Sequence, residues 1–397
     1  MKRFLLLSDI HACSDDPSSS KAASYVSSIS AAASGRNDPF TALEQLARDE
    51  QIRADYVLCA GDMTNKSTPA AFSYVWDRLS KLAASLSAPL IATVGNHDID
   101  SRYKENNHDP RGYAMALSPT IPVGERQHFL EYWAENFTLI SRADCNILVL
   151  NTAAYHGGGK EVKRELEHGR VSEATLSKLK TAIAGSPLAP VNILLCHHHP
   201  IKGEPSDEEL IGMTRGGDKL IDLLNEDSRH WIVVHGHKHR PELFYGFGAG
   251  NAPTILACAS FSAQVNADAH NKNPNQVHLL ECDAEAAKKN GLDLAGHVQS
   301  WTWQPGIGWI RALANQGLDH RVGFGYRGSS IALVNQLVAY IGSRGVKTIA
   351  WDEVLQAIPV IGWQVPAGFK AFKRDLAAAG LKLLETDGTI AEVGYRR

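Results

Sequence analysis

The sequence predicts an α/β fold built in layers. Over the first two-thirds of the chain, short apolar runs recur, and each ends in a cluster of Gly, Asp, Asn or His before a helical stretch follows. The runs consist mainly of Leu, Ile and Val, which is typical of interior strands covered on both faces. The six runs are RFLLLSD, DYVLCAGD, PLIATVGNHD, CNILVLNT, VNILLCHHHP and HWIVVHGH.

Helices are predicted between these strands. The first begins at Pro39, after Asp38 as N-cap, because proline is well suited to the first helical position. The five predicted helices span residues 39–50, 68–85, 124–136, 172–184 and 217–225. Segments 12–37 and 99–123 interrupt the pattern directly after strand ends, so we expect them to be loops that rim one opening. The Ser-rich segment 12–37 is equally compatible with substrate contact and with flexible filler.

The C-terminal part of the chain differs in composition and in the spacing of its apolar residues. After His239 the sequence becomes rich in strand-forming residues, and from about Arg327 helical spacing returns. Three helices and a hairpin with an Asp387-Gly388 turn are predicted there. We therefore predict a catalytic domain over residues 1–326 and a small winged-helix-like module over residues 327–397. This module could dock a protein partner, form a dimer contact or cover an edge, and its shape alone does not imply DNA binding.

Composition limits the classes of partner. The 397 residues include 40 Lys and Arg against 43 Asp and Glu, so the formal charge of −3 gives no indication of nucleic-acid or anionic-membrane binding. No apolar run is long enough to span a bilayer, and MKRFLLLSDIHA reaches Asp9 and His11 too early for a signal peptide, so a cytoplasmic location is expected. Six cysteines lack CxxC spacing and are predicted to be reduced core thiols.

The strand ends carry residue types that bind divalent cations. In chain order the motifs are SDIHA, AGDMTN, VGNHDID, CHHHP and HGHKH. Mixed carboxylate, amide and imidazole ligands suit Mn²⁺, Fe²⁺ or Zn²⁺, whereas an all-oxygen set would favour Mg²⁺ or Ca²⁺. We therefore predict two divalent metal ions as cofactors.

This series of motifs resembles the calcineurin-like metallophosphoesterase superfamily over roughly residues 1–245. The resemblance implies a four-layer α/β/β/α sandwich. It also implies that Asp9, His11 and His239 hold a first cation, that Asn96, His198 and His237 hold a second, and that Asp62 bridges them. His198 is chosen from CHHHP because the family ligand lies two residues before the proline, here Pro200.

The resemblance also implies the reaction chemistry. A hydroxide that bridges the two cations would attack phosphorus in line. His97 would stay unliganded near the substrate, as a proton donor or a clamp on phosphoryl oxygens, and proton donation contributes about 10²- to 10⁴-fold. Asp98 is a candidate for orienting His97.

The other histidines are assigned to supporting or surface positions. On an extended strand, His197 and His199 would point away from the ligand between them, and His235 would hydrogen-bond a ligand from behind. The loop histidines at positions 108, 128, 156 and 168 are predicted to lie on the surface.

Differences from subfamily patterns favour a phosphodiesterase. Protein phosphatases of this superfamily carry Gly-Asp-x-x-Asp-Arg-Gly and Gly-Asn-His-Glu, whereas this chain has GDMTNKS and GNHD. Thr64 and Asn65 are similar to the bacterial phosphodiesterase branch. The predicted substrate is a small or nucleotide-derived phosphodiester. The alternatives are a DNA or RNA nuclease of the SbcD-like repair type, a phosphomonoesterase, and a non-catalytic scaffold, which the complete ligand set disfavours.

Overall fold

The computed structural model describes residues 1–19, 22–29, 36–158, 168–201, 213–248, 251–264, 273–313, 316–386 and 389–395. The strands of the first sheet are β1 (Lys2–Leu7), β2 (Tyr56–Cys59), β3 (Leu90–Ala92), β10 (Gln276–Cys282), β11 (Gly296–Gln304), β12 (Gly308–Arg311) and β13 (Arg321–Phe324). The strands of the second sheet are β4 (Phe137–Ser141), β5 (Cys145–Leu150), β6 (Val191–Leu195), β7 (Trp231–His235), β8 (Glu242–Tyr245) and β9 (Thr254–Ala257). A third sheet contains β14 (Thr348–Ala350), β15 (Leu381–Thr386) and β16 (Thr389–Tyr395).

Helices connect most of these strands. The described α-helices are α1 (Pro39–Asp49), α2 (Pro69–Ser85), α3 (Gly112–Met115), α4 (Arg126–Glu135), α5 (Glu173–Gly185), α6 (Gly217–Glu226), α7 (Ala284–Lys289), α8 (Ser330–Arg344), α9 (Trp351–Ala357) and α10 (Pro366–Ala378). The predicted cap of α1 is confirmed, because the Asp38 carboxylate accepts a hydrogen bond from the Thr41 N–H at 2.7 Å.

The first sheet has the strand order β12-β11-β10-β1-β2-β3, with β13 paired to β11. The second has the order β4-β5-β6-β7-β9-β8. Strands β1, β2 and β3 are parallel to one another, and so are β5, β6, β7 and β9. Ligands of open α/β sheets bind outside the carboxyl ends of such strands, which is where the predicted motifs lie.

The second sheet shows how the layers stack. Its residues alternate between two apolar clusters. Leu148 and Val233 pack with Leu179 of α5 on one face, while Ile147 and Ile232 on the opposite face belong to the central core shared with the first sheet. That core continues to α1 and α2 beyond the first sheet. The order helix, sheet, sheet, helix confirms the predicted α/β sandwich.

The sequence prediction located most elements and missed others. All six apolar runs form strands, and the five predicted helices exist within about two residues of their predicted ends. The strand β4 was not predicted, and the expected loop 99–123 contains the short helix α3. The missed strand follows α4 with one intervening residue, Asn136, whose left-handed φ of 67° ends the helix abruptly.

The C-terminal segment contains α8, β14, α9, α10 and the hairpin β15–β16, with sheet order β14-β16-β15. Most of its buried side chains form a cluster of their own, which includes Leu337, Ile361 and Phe372. Trp363 and Val365 instead pack with residues of the first part of the chain. The predicted turn residues Asp387 and Gly388 lie outside the described residues. The winged-helix assignment and the domain boundary at residue 326 stay predictions.

All six cysteines are buried and free of disulfide bonds, as predicted. In the part of the chain that the structure describes, no helix combines the length and apolar character needed to cross a membrane.

Candidate metal centre

The carboxyl ends of strands from both sheets meet at one site. The first group of potential ligands is Asp9 and His11, which follow β1, and His239, which follows β7. The Nε2 atoms of His11 and His239 lie 3.0 Å apart, and His239 Nε2 lies 3.4 Å from Asp9 Oδ1. Each of these residues has a ligand atom within 4.8 Å of the others, which is compact enough to surround one cation.

A second group lies beside the first. The carbonyl oxygen of the Asn96 side chain lies 3.1 Å from His237 Nδ1 and 3.2 Å from His197 Nε2. His198 joins His197 and His237, because one ring nitrogen of each lies within 4.8 Å of the other two. The structure therefore brings Asn96, His198 and His237 together, as the sequence predicted for the second cation.

Asp62 lies between the two groups. Its Oδ2 atom is 3.8 Å from His11 Nε2 on one side and 3.2 Å from His197 Nε2 on the other. Its Oδ1 atom accepts a hydrogen bond from the His97 N–H at 2.7 Å. Burial tends to raise the pKa of Asp62, but the neighbouring imidazoles, His197 foremost, hold that pKa well below its usual range. A buried, ionised carboxylate between two imidazole groups is the arrangement that the predicted bridge requires.

Five of the seven predicted ligands have left-handed backbone conformations. The φ angles are 51° for Asp9 and for His11, 50° for Asp62, 80° for His237 and 55° for His239. Residues other than glycine rarely adopt this region, and such conformations cluster at functional sites because the surrounding structure must enforce them. The turns after β1, β2 and β7 therefore direct ligands inward at a conformational cost.

Glycines next to the ligands allow the strand ends to approach closely. A Cβ atom on Gly236 would lie 1.9 Å from Ser8 Oγ and 2.3 Å from Asp9 Oδ2. A Cβ atom on Gly95 would lie 2.2 Å from Asp62 Oδ1. The glycines of the Gly-Asp, Gly-Asn and Gly-His pairs are thus required because a side chain would not fit there, as well as by turn geometry.

Among the predicted ligands in the described part of the chain, two buried ring nitrogens have no hydrogen-bond partner. These atoms are Nε2 of His198 and Nε2 of His237. Burial, and then the neighbouring His237 ring, hold the pKa of His198 well below its ordinary value, so this imidazole is neutral and offers a lone pair. Buried polar atoms are nearly always satisfied, and each exception in a native fold needs an explanation. A bound cation is such an explanation, so the residues present fit a metal centre.

The expectation that His197 points away from the site is wrong. Strand β6 ends at Leu195, so the alternation of an extended strand does not reach His197. Its Nδ1–H donates to the carbonyl oxygen of Ala60 at 2.8 Å, and its Nε2 faces Asp62 and Asn96. Because a carbonyl only accepts, the Nδ1 atom carries the proton, which is the tautomer seen in imidazoles that bind metals through Nε2.

His97 and Asp98 have separate surroundings. The His97 ring is half-buried and stands edge-on to the His11 ring, with 4.7 Å between centroids. The buried Asp98 carboxylate accepts hydrogen bonds from the Gly95 and Thr64 N–H groups, each at 2.9 Å. Burial, and then repulsion from Asp62, raise the pKa of Asp98 to about 7. Asp98 thus joins the second and third motif loops, and any influence it has on His97 acts through the backbone.

Other histidines differ from their predicted positions. His235 donates from Nδ1 to the Gly236 carbonyl oxygen at 3.1 Å, so its described contact is with the backbone and not with a ligand ring. His156 and His128 are buried rather than on the surface. The His156 ring centroid lies 5.4 Å from that of His198, and sequence patterning gave no signal for this proximity.

Comparison with known proteins identifies the family. The model of the calcineurin-like phosphoesterase family matches residues 2–241. The chain therefore belongs to this family, as predicted, and is a hydrolytic phosphoesterase. Members of the family use divalent metal ions. A probable cyclic nucleotide phosphodiesterase from Psychrobacter arcticus is 23% identical over 226 residues, which cover 56% of this chain and 70% of the relative.

Solved structures give more distant likenesses. A putative 5'-nucleotidase from Staphylococcus aureus is 12% identical with a TM-score of 0.38 and covers 71% of this chain. The NAD nucleotidase of Haemophilus influenzae is 14% identical with a TM-score of 0.39 and covers 82% of this chain. The chain spans only about half the length of these two proteins, 51% and 49% respectively.

Proposed function

We propose that this phosphoesterase is a binuclear metal-dependent phosphodiesterase that hydrolyses a small or nucleotide-derived phosphodiester. The proposal rests on one observation: Asp62 lies between two compact groups of buried ligand atoms, within 3.8 Å of His11 and 3.2 Å of His197. A carboxylate in that position can be shared by two cations. Mn²⁺, Fe²⁺ and Zn²⁺ all suit the mixed ligand set.

The seven predicted ligands retain their proposed roles. Asp9, His11 and His239 would hold one cation and Asn96, His198 and His237 the other, with Asp62 shared. His197 is an additional candidate ligand, because its Nε2 faces the two oxygen ligands Asp62 and Asn96. When bound, the two cations supply a nucleophile at neutral pH and neutralise negative charge on the phosphoryl group.

His97 is the proposed proton donor to the leaving oxygen. Its backbone is fixed by the hydrogen bond to Asp62, while its ring remains half-exposed beside the metal ligands. Asp98 fixes the same loop through Gly95 and Thr64 and is therefore proposed as a positioning residue. In this arrangement the backbone hydrogen bonds would fix the position of His97, and its half-exposed ring would contact the substrate.

The phosphodiester preference is supported by the sequence and by one relative. The second motif, GDMTNKS, lacks the pattern of the protein phosphatases. The Psychrobacter arcticus relative is named a probable cyclic nucleotide phosphodiesterase. The cytoplasmic location and a partner for residues 327–397 stay predictions from the sequence.

A substrate panel tests this proposal. The purified chain is stripped of metal, reloaded with Mn²⁺ and assayed against bis-p-nitrophenyl phosphate, p-nitrophenyl phosphate, cyclic nucleotides and single-stranded DNA. We expect the diester to be hydrolysed with a higher kcat/KM than the monoester. The Asp62→Asn protein, purified in parallel, shows whether a contaminant causes the activity. Preference for the monoester would contradict the proposal, and cleavage of DNA in preference to the small diesters would favour a nuclease.

A further inference from the structure

The turn that carries Asp9 and His11 is held from behind by buried serines. Ser260 Oγ donates to the Asp9 carbonyl oxygen at 2.7 Å. Ser262 Oγ and Ser24 Oγ both reach the Ile10 carbonyl oxygen, at 2.8 and 2.7 Å. All three hydroxyls are fully buried. None of these serines belongs to the five metal motifs, and Ser260 and Ser262 lie beyond the matched family region, which ends at residue 241.

The hydroxyls of Ser260 and Ser24 accept hydrogen bonds from backbone N–H groups. Ser260 Oγ accepts from the N–H groups of Ser262 and Ala263, at 3.2 and 2.8 Å. Ser24 Oγ accepts from the Val26 N–H and lies 3.0 Å from Ser262 Oγ. Because both lone pairs of the Ser260 hydroxyl are occupied by N–H donors, its proton is directed at the Asp9 carbonyl oxygen. The Ser24 hydroxyl has one proton and three acceptors in reach, which are the Ile10 carbonyl oxygen and the carbonyl and hydroxyl oxygens of Ser262. The geometry of the Ser260 hydroxyl is therefore set before any cation binds.

These carbonyls belong to the strained part of the first motif. Asp9 and His11 both have φ near 51°, and the Asp9–Ile10 and Ile10–His11 peptide planes connect them. The other face of the turn is held by the Asp9 and His11 N–H groups, which donate to the Gly61 and Asp62 carbonyls at 3.0 Å. The N–H groups are thus fixed by the second motif and the carbonyls by the serines.

We infer that Ser260, Ser262 and Ser24 are positioning residues for the first cation, because they hold Asp9 and His11 in ligand geometry. This inference rests on the metal centre proposed above. One hydroxyl contacts the Asp9 carbonyl oxygen and two contact the Ile10 carbonyl oxygen, so the three serines are not equivalent. Ser260→Ala should have the largest single effect. Ser24→Ala and Ser262→Ala should each have a smaller effect, and the double variant should lose more than their sum.

Calorimetric titration of metal-stripped protein with Mn²⁺ tests the inference without substrate. Residues that orient metal ligands typically contribute about 10- to 100-fold in affinity. We expect Ser260→Ala to weaken one of the two Mn²⁺ binding events by that factor. Turnover should recover at higher Mn²⁺ concentration, because the ligands themselves remain.

Thr254→Val is the matched control. Thr254 begins the strand that precedes Ser260, is fully buried, and contacts His230 Nε2 through its hydroxyl at 3.0 Å. This variant also removes a buried hydroxyl and should bind Mn²⁺ as the unaltered chain does. If Ser260→Ala lowers Tm as Thr254→Val does but keeps Mn²⁺ affinity within threefold, the serine is merely structural and the inference is wrong.

The same titration separates this inference from the proposed function. If the unaltered chain binds Mn²⁺ but hydrolyses no phosphodiester, only the proposed function is contradicted, and the serine variants still decide the inference. If the unaltered chain binds no divalent cation, the inference and the proposed metal centre are both contradicted.

Discussion

The parallel strands carry buried charged side chains at their carboxyl ends and exposed charged side chains at their amino ends. At the carboxyl ends, Asp9 and Asp62 are fully buried and left-handed, among imidazoles with unpartnered nitrogens. At the amino end of β2, Asp55 is exposed, lies 3.5 Å from Lys2 Nζ and accepts the Arg3 N–H at 2.8 Å. A cavity of about 640 Å³ at that end is lined by ordinary exposed charges and apolar stems.

This difference shows that the carboxyl ends of the strands, and not the amino ends, lower the stability of the fold. Exposed ion pairs contribute little and are easily replaced, whereas buried carboxylates and strained turns persist only if something compensates for their cost. The carboxyl ends are therefore expected to tolerate substitution poorly and to respond to metal. The amino ends are expected to respond to neither metal nor substrate.

The largest expected effect is at Asp62. Asp62→Asn removes the shared anionic oxygen, so turnover and metal occupancy should be lost together, as measured by the diesterase assay and by the metal content of the purified protein. Asp55→Asn is the control at the opposite end of the strand and should leave both unchanged. Normal turnover in Asp62→Asn would contradict the bridging assignment.

Gly236→Ala tests the close approach of the two sheets. The added Cβ would overlap Ser8 Oγ and Asp9 Oδ2, neither of which is at the end of a long side chain, so the turn after β7 must move. We expect Mn²⁺ affinity to fall more than about tenfold, as for other losses of support to metal ligands. Gly342→Ala in α8 meets nothing within 4 Å and should not change Mn²⁺ affinity or lower Tm. Equal Mn²⁺ binding by both variants would contradict the role given to Gly236.

His97→Ala should separate chemistry from metal binding. Its ring is proposed to donate a proton and not to ligate, so kcat should fall about 10²- to 10⁴-fold while Mn²⁺ titration is unchanged. Loss of either cation in this variant would show that His97 is a ligand.

His197→Ala and His198→Ala compare two adjacent histidines. Both should lower Mn²⁺ affinity by at least about tenfold, His198 through its unpartnered Nε2 and His197 through the Nε2 that faces Asp62. His108→Asn, at an exposed histidine, should have no effect. If His197→Ala keeps full Mn²⁺ affinity, His197 supports the Ala60 carbonyl and is not a ligand.

The smallest expected effect is on acid stability at the amino end of β7. Burial, and then the Arg327 charge, lower the pKa of His230 to about 4, against about 6.5 in an unfolded chain. Between those values only the unfolded state binds the proton, so the free energy of unfolding falls as pH falls from 6.5 to 4. His230→Asn should reduce this slope by about 1.4 kcal/mol per pH unit, as measured by urea unfolding. An unchanged slope would contradict the assigned cause.

The sequence pattern predicted the strands and the motif residues at their ends. It did not predict contacts that depend on how the chain bends after a strand. The six strands and the motif residues at their ends follow from apolar runs that stop at polar clusters. His197 was misassigned because an extended strand was assumed past Leu195, where the chain turns. Ser260 and Ser262 gave no signal, since a serine in an apolar run does not indicate which distant carbonyl it will reach.

The candidate ligands are divided between the two sheets. Asp9, Asp62 and Asn96 follow strands of the first sheet, whereas His198 and His239 follow strands of the second. A fragment with either sheet alone would retain only part of each proposed coordination sphere. Bound cations would consequently link the two sheets, so that chelation would lower the free energy of unfolding as well as stop turnover.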